Sequence, residues 1–398
     1  MTTIAAAAPA LASTDRSRTS GTDLSIEIAT GLAAAEAVWR EFERDAVMSP
    51  YGRFDWVSAY AGSVEGREAI RVAVARDAAG RVAAILPCSV ARRFGTTIGA
   101  APGGKHANFN LPLMRPDIAN SLTPEGATKL LHEVGRAIGL DVVALPNVPV
   151  SWNERPNPFA SHGRPSPSHA SSLRLEGDGD ATLARSMSPD ARKKLRNKVR
   201  GLAKQGAVAV LEARSEAEVD RILDAFFHQK ETRFRELGIP DPFTDPAMRS
   251  FLRAGALARL DEGRPAIELY GLTVDGRIVA VLGGAADALR LSGMFVSFEP
   301  GETARFSPGE ILATEIIRRQ CERGRQVFDL GVGEARYKRN LCDSIEPLVD
   351  VVVPITLRGR LHGAARGSLV TLKRRIKASP RAMAALSRVR RGLSRIRA

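Results

Sequence analysis

Two stretches of the chain share one pattern of apolar and polar positions. Residues 70–90 read IRVAVARDAAGRVAAILPCSV and residues 267–287 read IELYGLTVDGRIVAVLGGAAD. Each is a β-rich run, a turn with Asp and Gly, an arginine and a second apolar run, the pattern of a hairpin. Gly80-Arg81-Val82-Ala83-Ala84-Ile85-Leu86 aligns with Gly276-Arg277-Ile278-Val279-Ala280-Val281-Leu282. Aromatic-bearing helical stretches precede both, AVWREFERDAV with FDWVSAY before the first and ILDAFFHQKETRFRELG before the second. The repeated order of helix, hairpin and later strand predicts a duplicated α+β unit.

Between the copies, SWNERPNPFASHGRPSPSHASS (151–172) is dense in Pro, Ser and Asn and reads as a loop or linker. SPDARKKLRNKVRGLAKQG (188–206) predicts a helix with Ser188 as N-cap, Pro189 in its first turn and Gly206 as its stop. Its basic residues Arg192, Lys193, Lys194, Arg196, Lys198, Arg200 and Lys204 surround a narrow stripe of Leu195, Val199 and Leu202. A phosphate-facing helix and a solvated face are both open readings. Next come a strand over 289–300, a helix over 307–324 with a capping box of Ser307 and Glu310, and a strand over 326–331.

At 398 residues the chain predicts two domains, and its 44% apolar and 26% charged content is that of a globular protein. The organisation expected is a disordered leader over 1–24, a first unit over 25–175 ending in the Pro/Ser-rich linker, a second unit over 176–357 and a tail over 358–398. The leader lacks a basic start and a long apolar core, so it does not read as a secretory signal. No apolar run approaches the roughly 18 residues of a spanning helix. Cys88, Cys321 and Cys342 are scattered, which suits a reducing compartment, and a cytoplasmic location is expected.

The net charge of +14 belongs to one segment. Residues 358–398 hold 13 Lys/Arg and no acid, which leaves 45 basic against 44 acidic residues elsewhere. Met383, Leu386, Val389, Leu393 and Ile396 recur near helical spacing, with a break at Ser379-Pro380, so two short basic amphipathic helices are expected. Such a tail suits the inner face of an anionic membrane or an acidic synthase partner; a solvated tail is the other open reading.

Several motifs fail on context. GAAPGGKH (99–106) opens like a phosphate-binding P-loop, but His106 stands where Mg²⁺ needs a hydroxyl, and no helix period follows. GVGEAR lacks the third glycine and the βαβ unit of a dinucleotide site. The six histidines show no zinc-like pairing, no G-x-S-x-G elbow exists, and no metal is expected.

One stretch concentrates chemistry. FDLGVGEARYKRNL (328–341) places Asp329 inside an apolar strand that ends at Gly331 and Gly333, with Glu334, Tyr337 and Lys338 just beyond. Glycines at a strand end let backbone approach a ligand. A plain turn followed by a solvated helix is the alternative.

Residues 188–338, through ARKKLRNKVRGLAKQG, FHQKETRF, SPGEIL and FDLGVGEARYK, resemble the CelD-type branch of the GNAT acyltransferases, associated with cellulose and polysaccharide biosynthesis. FDWVSAY, LPCSV and NFNLPL of the first unit agree with that family's leader domain. More distantly, the tandem units resemble Fem-type aminoacyl transferases. The resemblance implies two GNAT-like domains with mixed central sheets flanked by helices, and acyl transfer from acetyl-CoA or another acyl-CoA to an amine or hydroxyl, including saccharide acceptors. It implies that the donor enters between two splayed parallel strands, LRLSGMFVSF and QVFDLG. Backbone near Met294, Phe295 and Val296 would polarise the thioester carbonyl, and Arg305, Ser307 and Gly309 would hold the CoA phosphates. It further implies Asp329 or Glu334 as proton acceptor, Tyr337 as the acid that reprotonates the thiolate, and Lys338, Arg233, Gly331 and Gly333 around the substrate. The phosphate loop departs from the family pattern, with Pro308 and Glu310 at its two glycine positions. Two other readings stand beside this one: an aminoacyl-tRNA-dependent transferase, the one in which nucleic acid is a partner, and a non-catalytic module of a membrane polysaccharide synthase.

Overall fold

The computed structural model describes residues 24–361 apart from 65–66 and 334–335. Residues 1–23 of the predicted leader, Glu334 and the tail beyond 361 lie outside the described residues, while Leu24 is buried in the core.

The two hairpins form as the pattern predicts. Ala69–Arg76 pairs with Val82–Arg93, and Ile267–Val274 with Arg277–Ala286. Gly80 (φ 78°) and Gly276 (φ 81°) close the two turns in the left-handed conformation that glycine adopts without a Cβ clash. Around each hairpin a mixed sheet is built on one plan. The first runs Ser25–Ala29, Ala69–Arg76, Val82–Arg93, Thr96–Ala100, Val142–Pro149, Leu348–Pro354 and Arg164–Pro165. The second runs Val208–Glu212, Ile267–Val274, Arg277–Ala286, Arg290–Phe298, Val327–Val332, Ala170–Arg174 and Ser344–Glu346. In each sheet the fourth and fifth strands are parallel over three residue pairs, and the neighbouring pairs are antiparallel. The duplication expected from the sequence is therefore a duplication of topology, α+β with helices on the sheet faces.

The sixth strand of each sheet comes from the far side of the boundary drawn in the sequence. Ala170–Arg174 precedes position 175 yet pairs with Val327–Val332 in the second sheet, and Leu348–Pro354 returns to pair with Val142–Pro149 in the first. The segment read as a linker contains the start of that strand and the small hairpin Ser151–Trp152/Arg155–Pro156. Its composition reports local preference, whereas its ladder partners lie more than a hundred residues away. The exchange stitches the halves together, and their packing continues it. Phe54–Ser63 packs on Pro246–Leu257, with Trp56 edge-on to Phe251 at 5.3 Å. Arg53 donates to the carbonyls of Pro265 and Ala286 across the same seam. One apolar cluster includes Trp39 and Trp56 from the first half and Phe226, Phe251 and Ile267 from the second.

Two predicted helices border the site. Pro189–Ala203 starts as expected, the Ser188 hydroxyl accepting from the Ala191 amide at 3.2 Å. Pro308–Glu322 starts where expected, but the capping box does not form. Ser307 sits in the left-handed region (φ 53°) with no side-chain cap, and the Glu310 carboxylate turns instead to Lys198.

Candidate functional site

The strands Arg290–Phe298 and Val327–Val332 pair only at Arg290↔Val327, Leu291↔Phe328 and Ser292↔Asp329. Beyond that point the first stays with Arg277–Ala286 and the second stays with Ala170–Arg174, so the two diverge. The register of the first slips at the same place: Gly283 pairs with Phe295 and Gly284 with Gly293, leaving Met294 as an extra residue. A bulge of this kind re-aims the side chains that follow. Before it, Arg290 and Ser292 face the first half; after it, Phe295 packs at a tilt against Phe226, ring centres 4.4 Å apart, while Val296 and Phe298 turn to the opposite face.

On that opposite face lies a cavity of about 670 Å³. Val296 and Phe298 give it an apolar wall, Lys194 and Lys198 a basic one, and Ser307, Gly309 and Glu310 bring the uncapped start of Pro308–Glu322 to it. The first-turn amides of a helix and its dipole favour an anion there. Lys198 donates to Glu310 at 2.5 Å, so the acid at the loop position is matched by a cation from the neighbouring helix. Asn340, from the short helix Arg336–Leu341, completes one side. In the first half, the space lined by Ala101, Leu145, Phe109 and Leu111 is only about 30 Å³.

Behind the splay, on the face toward the first half, is a buried polar network. Asp329 has no exposed surface. Its Oδ1 accepts from the Ser292 hydroxyl (2.8 Å) and the Gly331 amide (2.9 Å), and its Oδ2 accepts from Arg290 at 3.2 Å. Arg290 also donates to Glu346, and its guanidinium carbon stands over Trp152, 4.3 Å from the ring centre. Because the Ser292 proton goes to Asp329, the Tyr51 hydroxyl donates to Ser292 (2.8 Å), and Asn108 donates in turn to Tyr51 (2.6 Å). The same Asn108 donates to the carbonyl of Gly293 (3.0 Å) and accepts from the amide of Val332 (3.3 Å). It thus spans the two strands where their own ladder ends. Burial pushes the Asp329 carboxyl up to about 7, against the pull of Arg290. Burial also lifts the Tyr51 phenol well above its ordinary range, so it stays a donor.

The structure brings some of the predicted residues to the cavity and sets others apart. Val296, Ser307 and Gly309 line it. Met294 and Phe295 pack toward the core on the other face. Arg305 stacks on Phe306 and does not line the cavity. Asp329 does not border it either. Gly331 (φ 75°) cannot carry a side chain, since a Cβ would lie 2.4 Å from the Gly293 carbonyl oxygen. Gly333 is also left-handed (φ 104°), with open space around it. Lys338 is buried, donating to the carbonyls of Gly331 (3.0 Å) and Val332 (3.3 Å), and burial lowers its pKa. Arg233 pairs with Glu236 on its own helix and takes no part in the cavity. Tyr337 stands on the helix Arg336–Leu341, its side chain outside the described residues. Sequence reasoning missed Tyr51, Ser292, Arg290 and Glu346, and it took Asn108 only as part of a family motif. A polar residue in an apolar strand, Ser292 like Asp329, was the one local signal available.

Among the described residues, no three His, Cys, Asp or Glu side chains are grouped as a metal ion requires. No helix there is long and apolar enough to cross a membrane.

Residues 189–339 match the family model for the acetyltransferase (GNAT) domain. Among solved structures the chain is similar to FemX, with a TM-score of 0.56 and 9% identity over 80% of this chain and 98% of that one. It is also similar to a conserved protein of unknown function from Bacteroides thetaiotaomicron, with a TM-score of 0.51 and 11% identity over 82% and 99%. At such identities the likeness is one of fold, and it extends over both halves. No curated protein matches the chain. The second half thus matches a GNAT-domain model and has a GNAT-like fold.

Proposed function

We propose that the second half transfers an acyl group from an acyl-CoA to an amine or hydroxyl acceptor, as in the CelD-type branch, where the acceptor belongs to polysaccharide synthesis. The observation that carries this reading is the cavity at the splay, open toward an uncapped helix start and edged by Lys194 and Lys198. The CoA phosphates lie at that helix start, screened from Glu310 by its bond to Lys198. The pantetheine chain runs along Val296 and Phe298. The thioester reaches the bulge at Met294, where the residue outside the ladder offers backbone polarity to the carbonyl oxygen.

The reaction needs a lone pair from the acceptor on the thioester carbon, loss of the acceptor proton and departure of the thiolate. The C–N or C–O bond forms as the C–S bond breaks, the acceptor proton passes to a base, and the sulfur takes one back. Glu334 is the base proposed at the strand end. Tyr337, on the short helix Arg336–Leu341 that also carries the cavity-lining Asn340, is the acid proposed for the sulfur. Asp329 acts as a positioning residue: with both oxygens already accepting, it holds Ser292 and the Gly331 turn in place. Lys338 fixes the strand end by its bonds to two carbonyls.

Calorimetry with CoA and acetyl-CoA tests this. Micromolar binding that weakens about tenfold in Lys198→Gln is the expected result; no heat with any acyl-CoA at millimolar concentration removes the reading.

The altered loop favours a second reading. Pro308 removes a backbone donor that the phosphates of CoA would use, which suits a donor held by other means, such as aminoacyl-tRNA. A filter-binding titration with tRNA that shows steep loss of affinity with salt supports that reading, and no binding at low salt excludes it.

A further inference from the structure

The strands Val82–Arg93 and Thr96–Ala100 join through a two-residue turn, Phe94-Gly95, closed by the pair Arg93↔Thr96. Both residues are left-handed (φ 51° and 76°). Asn or Gly favours the first position of such a turn, and a bulky aromatic does not. Phe94 is fully exposed there. Folding alone gives no reason for a phenyl ring at that point.

Asp141 ties this turn to the last described helical residues, 357–361. Its carboxylate accepts from the Thr97 amide and from the Thr356 hydroxyl. Leu357 and Leu361, one helical turn apart, are both about three-quarters exposed. Cations cluster around these apolar tips. Arg92 and Arg358 flank Asp141, and Arg136 and Arg360 flank His132. From this same edge the chain continues through 362–398 with 11 further Lys/Arg and no acid.

We propose that this edge docks on an anionic lipid bilayer, with Phe94 entering the headgroup region beside Leu357 and Leu361 while Arg92, Arg93, Arg358 and Arg360 meet the lipid phosphates. Aromatic and aliphatic tips ringed by arginine match an interface that is apolar beneath and negative above. A nucleic acid would use the arginines but offers little to two leucines. The docking is independent of the acyl-transfer reading, since none of these residues lines the cavity at the splay.

The test is sedimentation of the full chain with vesicles of phosphatidylcholine alone and of an equimolar mixture with phosphatidylglycerol. Binding to the mixed vesicles only, weakening with salt, is expected. The tail is present in every variant, so the variants isolate the folded edge. Phe94→Asn suits the turn and keeps or raises the melting temperature, while vesicle partition falls about tenfold. Replacing Arg92 and Arg93 together by Gln weakens partition by about fivefold per arginine. Phe94→Trp gives a blue shift of emission when mixed vesicles are added, because the three native tryptophans are already buried. Failure of the wild-type chain to sediment overturns the proposal, as does equal partition of Phe94→Asn. Binding to homopolymeric RNA with none to vesicles makes the edge a nucleic-acid surface and overturns it too.

Discussion

The side-chain amide of Asn108, from the first half, donates to the main-chain carbonyl of Gly293 in the second half at 3.0 Å. A side chain from one unit thereby stands where a neighbouring strand would stand in the other, at the point where two parallel strands part. The backbone amide of Val332 on the opposite strand donates to the carbonyl oxygen of the same Asn108 side chain. The splay is held open at a defined width by a residue nearly two hundred positions away.

Asn108→Ala removes the donors to Tyr51, Ser292 and Gly293 and the acceptor for Val332. At about 1 kcal/mol per bond, more where a buried partner is left alone, the expected loss is about 2–4 kcal/mol in chemical denaturation. A loss below about 1 kcal/mol would show that the bridge contributes little.

Gly331→Ala meets two obstacles. The left-handed backbone disfavours any Cβ, and the added atom would sit 2.4 Å from the Gly293 oxygen. We expect a loss of at least about 2 kcal/mol, together with weaker acyl-CoA binding as the strands are forced apart. Gly333→Ala, which has the strained φ but open space, costs less, about 1 kcal/mol. Equal effects from both changes would count against the close approach as the cause.

Glu310→Gln and Lys198→Gln act in opposite directions on an anionic donor. Breaking the 2.5 Å pair from the acidic side releases the lysine toward the cavity, and CoA affinity rises by a few-fold. Breaking it from the basic side leaves the carboxylate facing the phosphates. Titration calorimetry on the two proteins reads the sign directly, and a common sign contradicts the placement of the phosphates.

Stability depends on pH through Asp329. Its folded pKa, about 7, lies above the ordinary carboxyl value, so the folded protein binds a proton the unfolded chain has released. The stability this group contributes is complete below about pH 4 and declines as pH rises toward about 7. Asp329→Asn flattens that part of the profile while other groups keep theirs. Thermal melts across this range compare the two proteins, and parallel profiles would mean that Asp329 titrates normally.

Arg290→Met leaves the buried Asp329 and the half-buried Glu346 without their shared cation. The expected cost is about 3–5 kcal/mol, seen as a fall in denaturation midpoint. The double change with Asp329→Asn recovers part of it, because one of the stranded charges is gone.

Residue types and their spacing along the chain were enough to determine the hairpins, the basic helix with its Ser188 cap, the helix after Pro308 and the Asp329 strand, because each follows from local preference and period. They also marked Asp329 as unusual, an acid in an apolar run. Only the tertiary structure decided that its carboxylate is turned away from the cavity, that Glu310 serves Lys198 instead of a cap, and that Ala170–Arg174 and Leu348–Pro354 change places between sheets. Each of those outcomes is a choice among partners distant in sequence: Tyr51 and Ser292 meet across 241 residues, and Lys198 and Glu310 across 112. Local pattern sets what a segment can become, while the free energy of burial and pairing over the whole chain selects what it touches.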